Sequence, residues 1–401
     1  MKKVILYIGG FELPDKNAAA QRCVSNAKIF RDLGYEIVML GVNKTSHQPT
    51  QELNHFGFTC WSTPYPNSTK SWLSYITSLN QVEHLLEEKY RNQVFAVICY
   101  NYPAIAQYRI KNLAKKHGAL ALADVTEWYS ASGDASLRKG IKWLDITLRM
   151  RCVNFLMDGL ITTSKHLTTF YQKKTLVELP TLFDKSEQVF HKAEISNGEG
   201  YTLMYAGSPF DVAQAAKDKS CVKERLDLVI ESLYKLKLDG VNFRLNIFGV
   251  GEDDYLKVYP EDSKKLEGLC GVVVFKGRQP HRIILENIIS SDFTIFLRDV
   301  NRVTLAGFPS KFSESISYGT PVITNLISNI EPYVVEDKNC FLVDIDDKDK
   351  RYEALKLILT MPREGVKVSK DFCLNTVAFD CFSFTERVGV FIKKLKKNNE
   401  H

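Results

Sequence analysis

Residues 307–325, GFPSKFSESISYGTPVITN, join a Gly-Phe-Pro lead-in, a short helical run and a Gly-Thr-Pro exit into an apolar strand. Pro309 suits the first helical turn, where its missing N–H is no loss, and Gly319 with Pro321 stops the helix. Ser310, Lys311 and Glu314 then stand near the open end. Orphan backbone amides there favour an anion, and Lys311 and Glu314, three apart, share a face. The chemistry on offer is the holding of a phosphate. The plainer reading is an ordinary helix start with a solvated glutamate.

Other residues could join such chemistry. In LNIFGVGED, Gly249 and Gly251 directly follow a strand pattern, which allows close backbone approach to a ligand, although turn geometry alone would also explain them. Arg298 and Arg302 flank the strand end before the Gly-Phe-Pro block, where they neutralise phosphate charge or simply sit in water. In ADVTEWYSASG, Asp124 and Glu127 follow another strand. Acids at i and i+3 can orient a hydroxyl or take its proton, and they equally cap a following turn. Asn17 is suited to cap the helix that begins NAAAQR, placing Gln21 and Arg22 near the Gly9-Gly10 turn.

The elements that must position these groups alternate as in doubly wound α/β sheets. Strands are predicted at 4–8, 36–40, 95–100, 119–123 and 159–163, with helices at 18–33, 104–117 and 136–157. The stretch 177–200 loses periodicity and turns polar, marking a boundary. Alternation then restarts with strands at 202–205, 243–248, 272–275, 293–297 and 322–324 and helices at 223–238, 281–290 and from Pro309. Open parallel sheets bind ligands beyond the carboxyl ends of their strands, so a cleft between two such halves is where substrates would meet. The expected division is 1–184, a linker over 185–200, 201–378, and a basic-ended amphipathic helix within 379–401.

Composition excludes several classes. With 401 residues, 45% hydrophobic and 25% charged, the chain has material for two cores, and its net charge of +6 is small for a nucleic-acid binder. Nine cysteines lack any C-x-x-C spacing, which argues for reduced thiols and against a disulfide frame or zinc site. The N-terminal apolar run is too short for a signal peptide and no segment is long enough to span a bilayer, so a cytoplasmic protein is expected. No G-x-G-x-x-G opens the first helix, which disfavours a dinucleotide oxidoreductase. The segment 136–159 alternates basic and apolar residues. It reads as a core-packing helix with a solvated back, or as a surface resting on an anionic membrane at its inner face.

The block GFPSKFSESISYGTPVI resembles the donor-site signature of family four glycosyltransferases of the GT-B fold, with Gly307, Phe308, Pro309, Glu314, Gly319, Pro321 and Val322 in register. The resemblance implies two Rossmann-like domains facing a cleft, with 1–184 binding acceptor, 201–378 binding donor, and the last helix crossing back to the first domain. It implies donor contacts from Gly307, Phe308, Pro309, Ser310, Lys311 and Phe312, and ribose hydroxyls held by Glu314. MYAGSP at 204–209 with the downstream Lys223 is similar to the family's diphosphate loop, which brings in Ser208; an insertion leaves the register among Lys217, Lys219 and Lys223 open. VVFKGRQPHR resembles the base-holding loop, bringing in Gly277 and Arg278, and the Gly9-Gly10 turn resembles the family's glycine-rich loop, bringing in Gly10. Arg298 completes the donor set. Asn17, Arg22 and Asp124 make the acceptor set, and Glu127, Lys223 and Glu314 are the candidate catalytic residues.

One position departs from the signature: its first glutamate falls on Ala306. Loss of one donor-sugar contact costs about two orders of magnitude in rate if nothing replaces it. The implied activity is a retaining transfer of sugar from a nucleotide diphosphate sugar, a UDP-sugar being expected, to a glycan or lipid-linked acceptor. No cofactor is expected, and because no acidic motif is placed to hold a cation, neither is a metal. The alternative is a non-catalytic GT-B subunit that binds sugar or stabilises a partner.

Overall fold

The computed structural model describes residues 3–14, 17–44, 52–128, 137–187, 200–327 and 329–399. Most of the predicted linker, the end of the acidic loop at 129–133 and the first residue of the predicted helix 136–157 therefore lie outside the described residues. The chain forms two compact units, one of residues 1–184, 306–308 and 379–401, the other of 185–305 and 309–378.

The first unit is built on strands β1 (Val4–Gly9), β2 (Glu36–Asn43), β3 (Glu52–His55), β4 (Phe58–Pro64), β5 (Val94–Tyr100), β6 (Leu120–Val125), β7 (Gly159–Thr162) and β8 (Leu176–Glu178). They form one sheet in the order β3-β4-β2-β1-β5-β6-β7-β8, in which β3 alone runs antiparallel. Runs such as VILYIG are buried on every residue, as strands covered on both faces must be. Helices Ala18–Asp32 and Ala104–Lys116 cover the faces, and Thr385–Asn399 joins them, setting Phe391 and Leu395 against Gly159 of β7. A Cβ on Gly159 would stand 2.7 Å from the Leu395 side chain, so any larger residue would make that side chain shift.

The second unit holds β9 (Tyr201–Ala206), β10 (Phe243–Phe248), β11 (Val273–Gly277), β12 (Phe293–Ile295), β13 (Val322–Thr324) and β14 (Cys340–Leu342) in the parallel order β11-β10-β9-β12-β13-β14. In each sheet the first strand in sequence sits inside, β1 between β2 and β5, and β9 between β10 and β12. That reversal of strand order is where open α/β sheets hold ligands, beyond the carboxyl ends. The β3–β4 hairpin was not predicted: its turn, Phe56 and Gly57, takes positive φ without an Asn-Gly signal, and ELNH lacks a strand's alternation.

Candidate functional site

A pocket that gathers five of the predicted donor residues lies in the second unit, past the ends of β9, β10 and β11. It has a volume of about 670 Å³ and is lined by Ser208, Lys223, Gly249, Gly251, Gly277 and Arg278, with Asp211 and Asp254 on its wall. Both acids are engaged, Asp211 capping the amide of Gln214 and Asp254 paired with Lys257 at 2.7 Å. Lys223 and Arg278 are exposed to it. Of the three lysines in question, Lys223 lines the pocket, whereas Lys219 turns to Glu261 at 2.6 Å.

Backbone sets the walls. Gly207 and Gly249 take positive φ of 153° and 99°, and a Cβ on Gly249 would fall 2.2 Å from the Gly207 carbonyl oxygen. No other residue type fits there, and the absence of side chains leaves the peptide edges open to a ligand.

Beneath this loop lies a charge cluster that sequence reasoning missed. Glu224, at the head of the helix Leu226–Leu238, is buried; one carboxylate oxygen takes Arg298 Nε at 2.9 Å and Nη2 at 2.5 Å, and the other accepts from Lys311 and from the Tyr205 hydroxyl. Burial pushes the Glu224 carboxyl up, but the Lys311 and Arg298 cations outweigh it and hold it well below the usual carboxylate range. Burial, reinforced by Arg298 and Lys223, pushes Lys311 down to about 8 against the pull of Glu224. The expectation that Arg298 meets the donor is thus corrected: its guanidinium is buried and spent on Glu224. Lys311 is shared, its side chain 15% exposed and its ammonium 2.7 Å from where a Cβ on Gly207 would sit.

The signature helix runs from Ser310 to Ser317 after Pro309, and no side chain caps its N-terminus. Glu314 receives His281 Nε2 at 2.7 Å on Oε1. His281 opens the helix that follows the Gly277-Arg278 turn, so Glu314 is tied to the rim of the pocket through a residue no sequence signal marked. Phe312 is corrected: its side chain is fully buried and supports the helix from inside. Gly307 and Phe308 group with the first unit, Phe308 meeting the ring of Phe379 edge-on. Ala306 is fully buried in that unit's apolar cluster, and its carbonyl accepts from Ser164 Oγ at 2.8 Å. An apolar residue is what those surroundings favour.

In the first unit the predicted acceptor set comes apart. Arg22 is buried and gives its N–H groups to Asp124, Thr163 Oγ1 and the carbonyls of Leu179 and Pro180, while Asp124 also accepts from Tyr7 at 2.5 Å and from Asn26. Asp124 is wholly inaccessible. Both are therefore core residues, because a buried charge must be answered locally. Asn17 caps its helix, its Oδ1 accepting from Ala20 N at 2.9 Å. Glu127 remains half-buried after β6, next to Thr126, which Asn101 pins at 2.6 Å. Gly10 is exposed at the end of β1.

On the helix Leu137–Leu148, Ile146 is buried, as is Met150 beyond its end, but Trp143 and Leu144 are 56% and 59% exposed. Neither plain reading of that segment covers it alone. Among the described residues no helix is long and apolar enough to cross a membrane, and no three His, Cys, Asp or Glu side chains converge as a metal site.

Solved structures match over nearly the whole chain. A sucrose-phosphate synthase from Thermosynechococcus elongatus aligns with a TM-score of 0.66 at 12% identity, over 99% of this chain and 100% of that one. The catalytic domain of starch synthase IV from Arabidopsis thaliana, bound to ADP and acarbose, aligns at 0.69 and 10% identity, over 98% and 99%. Anabaena HepE in complex with UDP and glucose aligns at 0.60 and 13%, over 98% and 100%. No curated protein matches the sequence significantly. Two parallel, doubly wound sheets with this likeness define a GT-B fold. Residues 222–371 match the model of the glycosyl transferases group 1 family. The chain thus has the GT-B fold, and the match to that family's model lies, but for residues 306–308, within its second unit.

Proposed function

We propose that the protein moves a sugar from a nucleotide diphosphate sugar, a UDP-sugar by expectation, to a glycan or lipid-linked acceptor, with retention of configuration and without a metal ion or other cofactor. The observation that carries this reading is the pocket past β9–β11, where Lys223 and Arg278 face glycine turns whose peptide groups lie open. A departing diphosphate gains negative charge, and fixed cations with aligned amides stabilise it without a mobile ion. The surplus positive charge of the Glu224–Lys311–Arg298 cluster adds to that field from below. Glu314, steadied by His281, offers its second oxygen to ribose hydroxyls.

Retention follows if the acceptor attacks on the face the diphosphate leaves, its proton passing to the departing phosphate oxygen, with Glu127 orienting the hydroxyl. Exposed Trp143 and Leu144 favour contact with a membrane surface where lipid-linked acceptors reside. A non-catalytic sugar-binding subunit is the second reading, and Ala306 is the observation that favours it. Incubating the purified protein with a panel of nucleotide sugars, with and without chelator, tests both. Release of nucleoside diphosphate that persists in chelator is the expected result; binding without release would favour the subunit, and release only with added metal would remove the metal-free step.

A further inference from the structure

A second pocket, of about 340 Å³, opens within the first unit beyond the carboxyl ends of β1, β2 and β4. It is lined by Gly9, Gly41 and Thr63 at those strand ends, and by the helix Thr69–Thr77 and the turn and helix after it. β1 is the strand at which the sheet order reverses, so this is a position where such sheets take ligands.

Its polar groups are neutral. Ser74, Tyr75, Ser78, Asn80, Gln81 and Tyr102 contribute hydroxyls and amides, and among the described residues no Asp, Glu, His, Lys or Arg lines it. Arg109, beside the end of the helix Thr69–Thr77, is spent on the Thr77 carbonyl. Among the described residues, the side chains of Ser74, Tyr75, Asn80 and Gln81 have no hydrogen-bond partner, so their donors and acceptors stand ready. The rings of Tyr75 and Tyr102 lie 6.0 Å apart. Burial pushes both phenols up, which keeps them uncharged. The Tyr75 hydroxyl reaches to 3.5 Å from where a Cβ on Gly10 would be, over the turn that ends β1.

Hydroxyls, carboxamides and aromatic faces are what a pyranose meets well, since it offers hydroxyls that both donate and accept and an apolar C–H face. A phosphate or carboxylate would lose its water here with no counter-charge in return. Resting on the transferase reading, we propose that this pocket holds the acceptor, and that the sugar unit it holds is uncharged.

Saturation-transfer NMR on the full chain tests this, with maltotriose, cellotriose and chitotriose as neutral probes and glucose 6-phosphate and glucuronate as charged ones. At least one neutral trisaccharide should bind, losing about ten-fold in affinity in Ser74→Trp, which plugs an exposed wall, and somewhat less in Tyr75→Phe, as expected for one or two lost hydrogen bonds. Thermal melts confirm that both variants fold, and calorimetry with UDP should give the wild-type Kd in both. The proposal is overturned if no neutral trisaccharide binds, if its affinity is unchanged in Ser74→Trp, or if the charged sugars bind there equally well. Should UDP fail to bind the wild type while trisaccharide binding still depends on Ser74, the transferase reading falls and the sugar pocket stands.

Discussion

In the first unit the guanidinium of Arg22 and the carboxylate of Asp124 cancel; in the second, Glu224 faces two cations, Arg298 and Lys311, and one positive charge is left over. Both clusters are buried and densely hydrogen-bonded. Only the second leaves a partner partly exposed, beside a glycine turn that lines a pocket. A balanced buried pair holds a core together, whereas an unbalanced one also projects a field. The same residue types thus serve structure in one unit and, by our reading, anion binding in the other.

The largest effect should come from breaking the balanced pair. Asp124→Ala leaves Arg22 buried and unanswered, and urea titration should show a loss of about 3–5 kcal/mol. Little change would mean that the core admits water to Arg22. Next comes the pocket itself: Lys223→Ala or Arg278→Ala should each raise the donor Kd by about ten- to a hundred-fold, the worth of a hydrogen bond to a charged group, with melting unchanged. Smaller again is a pH effect. Because Lys311 titrates at about 8, below a lysine's ordinary value, its charge is present at pH 7 and mostly gone at pH 9. UDP affinity should therefore fall on that rise by roughly five-fold, about 1 kcal/mol for one partly screened charge. Lys311→Met should bind more weakly at pH 7 and flatten the profile; a slope that persists would assign the titration elsewhere. The smallest test is Asn17→Ala, which should cost about 1 kcal/mol as a lost helix cap and leave acceptor KM unchanged.

What could be read from the sequence follows the range of the interactions concerned. The parallel strands announce themselves because burial on both faces makes continuous apolar runs, as in VILYIG, and the signature helix because its stop and start signals are local. Gly249 and Gly251 were placed from a turn directly after a strand, and Lys223, Gly277 and Arg278 from the family resemblance; all five line one pocket. The charges were misjudged where their partners are remote. Arg22 meets Asp124, Thr163 and the carbonyls at 179 and 180, more than a hundred residues on, so nothing near it in sequence tells a core arginine from a ligand contact. Glu224 stands beside Lys223 yet faces the other way, into Arg298 and Lys311, and only the closed sheet reveals it. His281 became visible only once Glu314 had a neighbour.

One apolar cluster of the first unit, not the one that holds Ala306, includes Val388, Phe391, Ile392 and Leu395 from the last helix. The unit's strands leave the ribosome before any of the second unit exists, yet β7 and β8 wait for the helix Thr385–Asn399 to cover them. The second unit is nearly one uninterrupted stretch and has no such dependence. Translation therefore delivers the later unit finished and the earlier one open, and a ribosome stalled near residue 380 would expose the face of β7 and β8 that the last helix shields.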